Sequence, residues 1–244
     1  MLRALVILLA GWCSAGAAFP ASVTLHPNGQ LVVLEGRIEM GDFDKVLRLS
    51  REAAPTGIYL ASPGGNLGEA LRIGSLVRRL AWETKSAEAT SVPAGLRAGV
   101  ALSYGIKDLR NQQCASACFF IFVSGIYRDG HALGIHQPYL SPAEVTRMSE
   151  DEALRKTRNA RAVVELFMTR MGVPRKYVDA MYEVPKEQIR WLTEEEIAAD
   201  FQGFIPSVRE WVATQCGETA GTVRCKDEVM MGIRLRALQQ SERD

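Results

Sequence analysis

The sequence predicts a mixed α/β fold with parallel strand pairing. Two observations carry this. In the first third, short runs rich in β-branched and aromatic residues alternate with segments of helical periodicity. The length of 244 residues suits one good-sized domain or two small ones, and 47% hydrophobic with 23% charged residues is a globular profile.

Residues 22–35, SVTLHPNGQLVVLE, read as two strands around the turn Pro27-Asn28-Gly29. A helix follows, with Asp42 as its N-cap and Phe43, Val46, Leu47 and Ser50 at helical spacing. TGIYLAS (56–62) is a short buried strand that ends in Ser62-Pro63-Gly64-Gly65. Beyond it, Leu67, Ala70, Leu71, Gly74 and Val77 share one helix face. Residues 81–111 mix small residues with weak apolar runs and read as an insertion in the core. Residues 141–172 read as a helix with Val163, Leu166, Phe167 and Met171 apolar, capped by Gly172, and Pro174 opens another. Thr193 and Glu196 have the spacing of a capping box.

The two ends carry other signals. Arg3, an apolar run from Ala4 to Trp12 and small residues to Ala18 have the layout of a secretory signal peptide (1–18), cleaved after Ala17 or Ala18. An uncleaved anchor is the competing reading. Export, with a periplasmic destination, leaves Cys114, Cys118, Cys216 and Cys225, an even number that suggests two disulfides; three pairings are possible, the local one being simplest. Residues 206–244 form a C-terminal extension. The net charge of +1 argues against nucleic-acid binding.

The chemistry concentrates in CASACFFIFVSGIYRDGHALGIHQP (114–138). Its spacing, C-x3-C-x12-H-x4-H, falls within the zinc-finger range, so a zinc module is one reading. Against it, His131 and His136 enclose Gly134 and precede Pro138, which is strand or loop rather than helix. FFIFVSG is too apolar for a recognition helix, and exported cysteines tend to pair. The alternative is a nucleophile with its base. Ser116 would stand at the N-terminus of a buried helix, where unpaired N–H groups favour negative charge. His136 would end a short strand, Ala132 to Ile135, with His131 a bystander in a solvated loop.

In this order, SPGGNLGEALRIGSLVRR, CASACFFIFVSG, GIHQP and RWLTEEEIAADFQGF (190–204) resemble the ClpP-type serine peptidases of the ClpP/crotonase superfamily, over roughly residues 30–205. The resemblance implies repeated β-β-α units with a mostly parallel sheet and packed helices. It implies Ser116 as nucleophile, His136 as base, the amides of Gly65 and Ala117 as oxyanion hole, and Gly64 and Gly65 against the substrate. No cofactor is implied. The substrates would be peptides or unfolded polypeptides, with assembly into a homo-oligomer and no ATPase partner outside the cytoplasm. Two departures stand out. The family's third triad member, an aspartate, falls on Ile189, so Glu187 or Glu183 would have to substitute. Cys114 and Cys118 flank the serine, and a bond between them would brace it. Ser–Lys peptidases share the SPGG turn, but neither Lys85 nor Lys107 is marked as a base. Crotonases that bind acyl-CoA usually lack the Ser/His pair. A catalytically weak or inactive relative that binds extended peptides along the SPGG edge is the alternative function.

Overall fold

The computed structural model describes residues 20–88, 93–108, 112–140, 146–217 and 223–241. The expected signal peptide (1–18) therefore lies outside the described residues. The fold is mixed α/β, with a mostly parallel sheet and helices packed against it. The main sheet has the order β1 (Ser22–Leu25), β2 (Leu31–Glu35), β3 (Gly57–Ala61), β4 (Glu83–Lys85), β6 (Tyr127–Asp129) and β9 (Gly203–Phe204). Strands β2, β3, β4 and β6 run parallel, and the two outer pairings are antiparallel. The β2–β3 register runs from Leu31 opposite Gly57 to Glu35 opposite Ala61. Both strands are buried along their whole length, as a parallel sheet covered on both faces requires.

A second sheet, β5 (Cys114–Ala115), β7 (Leu133–Ile135) and β8 (Arg190–Trp191), leans on the first. Ser62, just past β3, joins them. Its N–H donates to the Gln113 carbonyl at 2.8 Å, and its carbonyl accepts from Ala115 at 3.1 Å. Helices α1 (Asp42–Glu52), α2 (Leu67–Arg79) and α4 (Ala117–Phe122) pack on the sheets, and α3 (Ala94–Ser103) precedes β5. Then come α5 (Glu150–Arg170), α6 (Arg175–Glu183) and α7 (Glu194–Asp200). All six residues of α4 are buried, among Leu60, Ile73, Val77 and Phe167 in the main core.

Two guanidinium groups close the far ends of α4 and α5. Arg128, 1% exposed, donates to the carbonyls of Val123 and Met171, the residues that terminate those helices. Arg78 donates to Ser124, Val123 and Met171. Unpaired carbonyls at a helix C-terminus carry partial negative charge, which suits a cation. Burial lowers Arg128 to about 9 and Arg78 to about 10, and both remain charged at neutral pH.

The C-terminal extension is two helices, α8 (Pro206–Cys216) and α9 (Val223–Ser241), tied by a Cys216–Cys225 disulfide. They form a separate apolar cluster with Ala81, Ile126 and Phe204. Lys226 of α9 pairs with Glu83 at 2.7 Å, and Arg234 donates to the Thr56 carbonyl at 2.8 Å. Thr56 and Glu83 stand at the starts of β3 and β4. The extension thus covers the N-terminal ends of parallel strands.

Several elements differ from expectation. The α1 N-cap is Gly41, not Asp42, because the Asp42 carboxylate turns back to accept the Glu39 N–H at 2.7 Å. Residues 81–111 are not wholly an insertion, since Glu83–Lys85 is an inner strand whose polar letters hide a buried Thr84. On α5 the buried residues are Val164, Phe167 and Met168, while Val163 and Leu166 are exposed. That helix begins at Glu150 among the described residues, and 141–145 lie outside them.

The Thr193–Glu196 capping box forms in full at the start of α7. Thr193→Ala should cost about 1 kcal/mol, read as a lower urea midpoint with unchanged slope.

Candidate active site

The chain turns sharply from β5 into α4 at Ser116, whose backbone lies at φ 55 and ψ −123. A positive φ is rare outside glycine and costs on the order of 1–3 kcal/mol. The surroundings impose it. The Ser116 N–H donates to Gly134 of β7 at 2.9 Å, and its carbonyl accepts from Phe119 in the first turn of α4. Cys114 and Cys118, both fully buried, are bonded to each other across the turn, with Cα atoms 5.2 Å apart. Of the three possible pairings, the structure takes the local one. Closing so short a loop is worth about 2 kcal/mol on the chain-entropy account, which is comparable to the strain at Ser116.

Opposite this turn lies SPGG. A Cβ on Gly64, at φ 103, would stand 2.6 Å from the Ser116 Cβ and 2.9 Å from the Ala117 nitrogen. A Cβ on Gly65, at φ 141, would run into the Ile38 carbonyl. Only glycine lets the two turns meet this closely. Among the described residues, neither the Gly65 nor the Ala117 N–H has a hydrogen-bond partner. Ala117 is the first residue of α4, where unpaired N–H groups are intrinsic to the helix.

Ser116, Ala117, Gly65 and His136 all line one cavity of about 720 Å³. Ile38, Met40, Leu67, Phe120, Tyr139 and Ile189 supply much of its apolar wall. Ser116 is half-buried and His136 is 7% exposed. His136 follows β7, the strand that holds the Ser116 N–H, so one strand ties the serine and the histidine together. Its Nδ1 donates to the carbonyl of Gln137 at 2.8 Å. A carbonyl only accepts, so Nδ1 carries the proton and a neutral ring leaves its lone pair on Nε2. Burial lowers the His136 pKa below the usual histidine value, and the Gln137 bond opposes this in part.

No carboxylate among the described residues bonds to the His136 ring. Glu187 lines the cavity, but it is exposed, and its ion pair is with Lys186 at 3.8 Å. Glu183 is exposed and does not line the cavity, and Ile189 does. The group at Nδ1 is therefore the main chain of Gln137, not Glu187 or Glu183. Sequence reasoning missed it, because a backbone carbonyl has no letter of its own. It also missed Lys186, Arg37 and Tyr139 on the cavity wall.

The zinc spacing does not assemble a ligand set. The two sulfurs are bonded to each other, and His136 faces the cavity. His131 contacts Glu194 through Nδ1, while its Nε2 accepts from Gln202 at 3.1 Å. It is better anchored than a solvated loop residue. Lys85 pairs with Asp129 at 3.6 Å and does not line the cavity, and the Lys107 N–H donates to Glu35.

No protein-family model matches the sequence, and no curated protein matches it. Among solved structures the chain is similar to a mutant of ClpP1 from Listeria monocytogenes, at 15% identity over 70% of this chain and 87% of that one, with a TM-score of 0.43. It is also similar to two mutants of 1510-N, a membrane-bound stomatin-specific protease, each at 15% identity. One match covers 72% of this chain and 77% of that one (TM-score 0.38). The other, a complex with a substrate peptide, covers 65% and 64% (TM-score 0.39). Likenesses this distant say nothing of the chemistry at the site.

Gly64→Ala should destabilise the protein by more than about 2 kcal/mol, since the new Cβ meets Ser116 and backbone on both sides. The double change Cys114→Ala with Cys118→Ala should lose about 2 kcal/mol. Urea unfolding of each variant, with the disulfides of the parent kept oxidised, measures both.

Proposed function

We propose that this chain is a serine peptidase of the ClpP-like kind that hydrolyses peptides or unfolded polypeptides. The observation that carries the reading is the strained strand–serine–helix turn at Ser116, sharing one cavity with a buried histidine and two unpaired amides. A substrate carbonyl would sit against the Gly65 and Ala117 N–H groups. Ser116 Oγ attacks it and passes its proton to His136 Nε2, and the two amides hold the developing oxyanion. His136 then gives that proton to the leaving amine. Water deacylates Ser116 by the same route in reverse order.

The Gln137 carbonyl takes the place of a triad acid in one respect only. It selects the tautomer that a base needs, but brings a dipole rather than a charge to stabilise the imidazolium. The proposed enzyme therefore works as a dyad with an orienting carbonyl and is slower than a full triad. The same missing carboxylate favours a second reading, a non-catalytic relative that binds an extended peptide in the cavity. Export to the periplasm, self-assembly and independence from an ATPase belong to the proposal as well. They rest on the N-terminal sequence pattern and the family resemblance.

A fluorophosphonate probe separates the two readings. Labelling of the wild type, abolished by Ser116→Ala and lowered about a thousandfold by His136→Ala, supports the enzyme. A folded wild type that never labels leaves the peptide binder.

Glu187→Gln should label at the wild-type rate within about twofold, since Glu187 does not reach the ring. Only the neutral imidazole is a base, so activity rises with pH through the His136 pKa. Because burial lowers that pKa, the acidic limb of the rate profile should lie below the ordinary value of about 6.5. A limb above that value would speak for a carboxylate partner.

A further inference from the structure

The Gly65 amide does not hold its direction alone. It is flanked by two hydrogen bonds to Ile38: the Ile38 N–H donates to Gly64 at 2.8 Å, and the Asn66 N–H donates to Ile38 at 2.8 Å. The peptide that presents the Gly65 N–H is thus clipped to residue 38 on either side. Residues 37–40 also form one wall of the cavity. Whatever holds the segment 37–43 aims the Gly65 amide.

Within that segment Gly41 is the N-cap of α1, with φ 91 and no side chain to cap its own helix. Asp42 cannot stand in, since one carboxylate oxygen accepts the Glu39 N–H and the other pairs with Lys45. The acceptor comes from another helix. Glu69, on the first turn of α2 and 2% exposed, takes the N–H of Gly41 at 3.0 Å and of Phe43 at 2.9 Å on a single oxygen. Its other oxygen accepts from Arg72 at 2.8 Å, and that guanidinium lies over the Phe43 ring. A carboxylate at a helix N-terminus is favoured by both hydrogen bonding and the dipole. The Glu69 N–H in turn donates to the Asn66 side chain, three residues back and next to Gly65. Two loops, 37–43 and 62–66, are therefore fastened at two points, one of them a buried charge.

We propose that Glu69 is a positioning residue: its carboxylate latches the segment 37–43 and, through Ile38, aims the Gly65 amide at the substrate oxyanion. This rests on the serine-peptidase reading above. Glu69 does not line the cavity, so it touches no substrate.

The test compares wild type, Glu69→Gln and Glu69→Ala with the fluorophosphonate probe at a temperature where all are folded. Gln keeps an oxygen acceptor for Gly41 and Phe43, and Ala keeps none. The labelling rate at saturating probe should fall about tenfold in Glu69→Gln and about a hundredfold in Glu69→Ala, with the half-saturating probe concentration within about twofold. A merely structural role would leave the saturating labelling rate of the folded variants at the wild-type level, and that result overturns the proposal. Amide hydrogen exchange gives a readout that needs no chemistry. Exchange at Ile38 and Asn66 should rise at least about tenfold in Glu69→Ala while Leu60 in β3 stays unchanged. Unchanged exchange at Ile38 and Asn66 removes the latch whatever the labelling shows. A folded wild type that does not label removes the peptidase reading, and with it a catalytic purpose for Glu69, even where exchange shows the latch to exist.

Discussion

The arrangement depends on one strained residue. Ser116 holds a backbone conformation that costs on the order of 1–3 kcal/mol, and its neighbours serve to make that conformation the only one available. The bond between Cys114 and Cys118 closes the turn from below. Burial of Phe119, Phe120, Ile121 and Phe122 prevents α4 from unwinding to relieve it. The hydrogen bond from Ser116 to Gly134 keeps β5 against β7, and that strand delivers His136. Relaxing Ser116 would give up its bond to Gly134 and disturb the buried α4 while the disulfide still held the turn closed.

The sheet divides its two ends between opposite tasks. At the C-terminal end of β3 the chain opens into SPGG, Ser116 lies alongside, and the cavity faces outward. Ligand sites in open α/β sheets form at this end, because the loops there diverge and helix N-termini point into the gap. At the N-terminal ends of β3 and β4, α9 lies across the strands with Arg234 on the Thr56 carbonyl and Lys226 on Glu83. Its apolar contacts run to Ala81, Ile126 and Phe204 rather than to the main core. The extension thus packs on the end of these strands away from SPGG and the cavity.

Much of this was legible in the sequence, and the exceptions share a cause. Strand β3, helix α2 and the Thr193 capping box were readable because local side-chain chemistry decides them. Ser116 and His136 were readable as motifs, and the structure brings both to one cavity. Strand β4 was missed because Glu-Thr-Lys becomes a strand through its neighbours on either side rather than through its own propensity. On α5, Phe167 and Met171 were named correctly, but Val163 and Leu166 were named in place of Val164 and Met168, since these letters are interchangeable in the pattern and only tertiary packing chooses between them. The partner of His136 was out of reach altogether. A search for an acid looks for carboxylates, and here the acceptor is main chain.

The three parts of the site are held by restraints of very different strength. Ser116 is fixed by the disulfide between its neighbours and by a buried helix. The Gly65 amide is fixed by paired backbone hydrogen bonds and a buried carboxylate. Among the described residues, His136 is held by its burial, a bond to the Gln137 carbonyl, a tilted ring contact with Tyr139 at 5.8 Å, and a long 3.4 Å bond from the Gln137 N–H to Val184. Tyr139 is half exposed, and Lys186, Glu187 and Ile189, which line the same cavity as His136, are exposed too. His136 is bonded to chain that borders exposed segments, so in the proposed mechanism a molecule bound at 137–140 bears on His136 before Ser116.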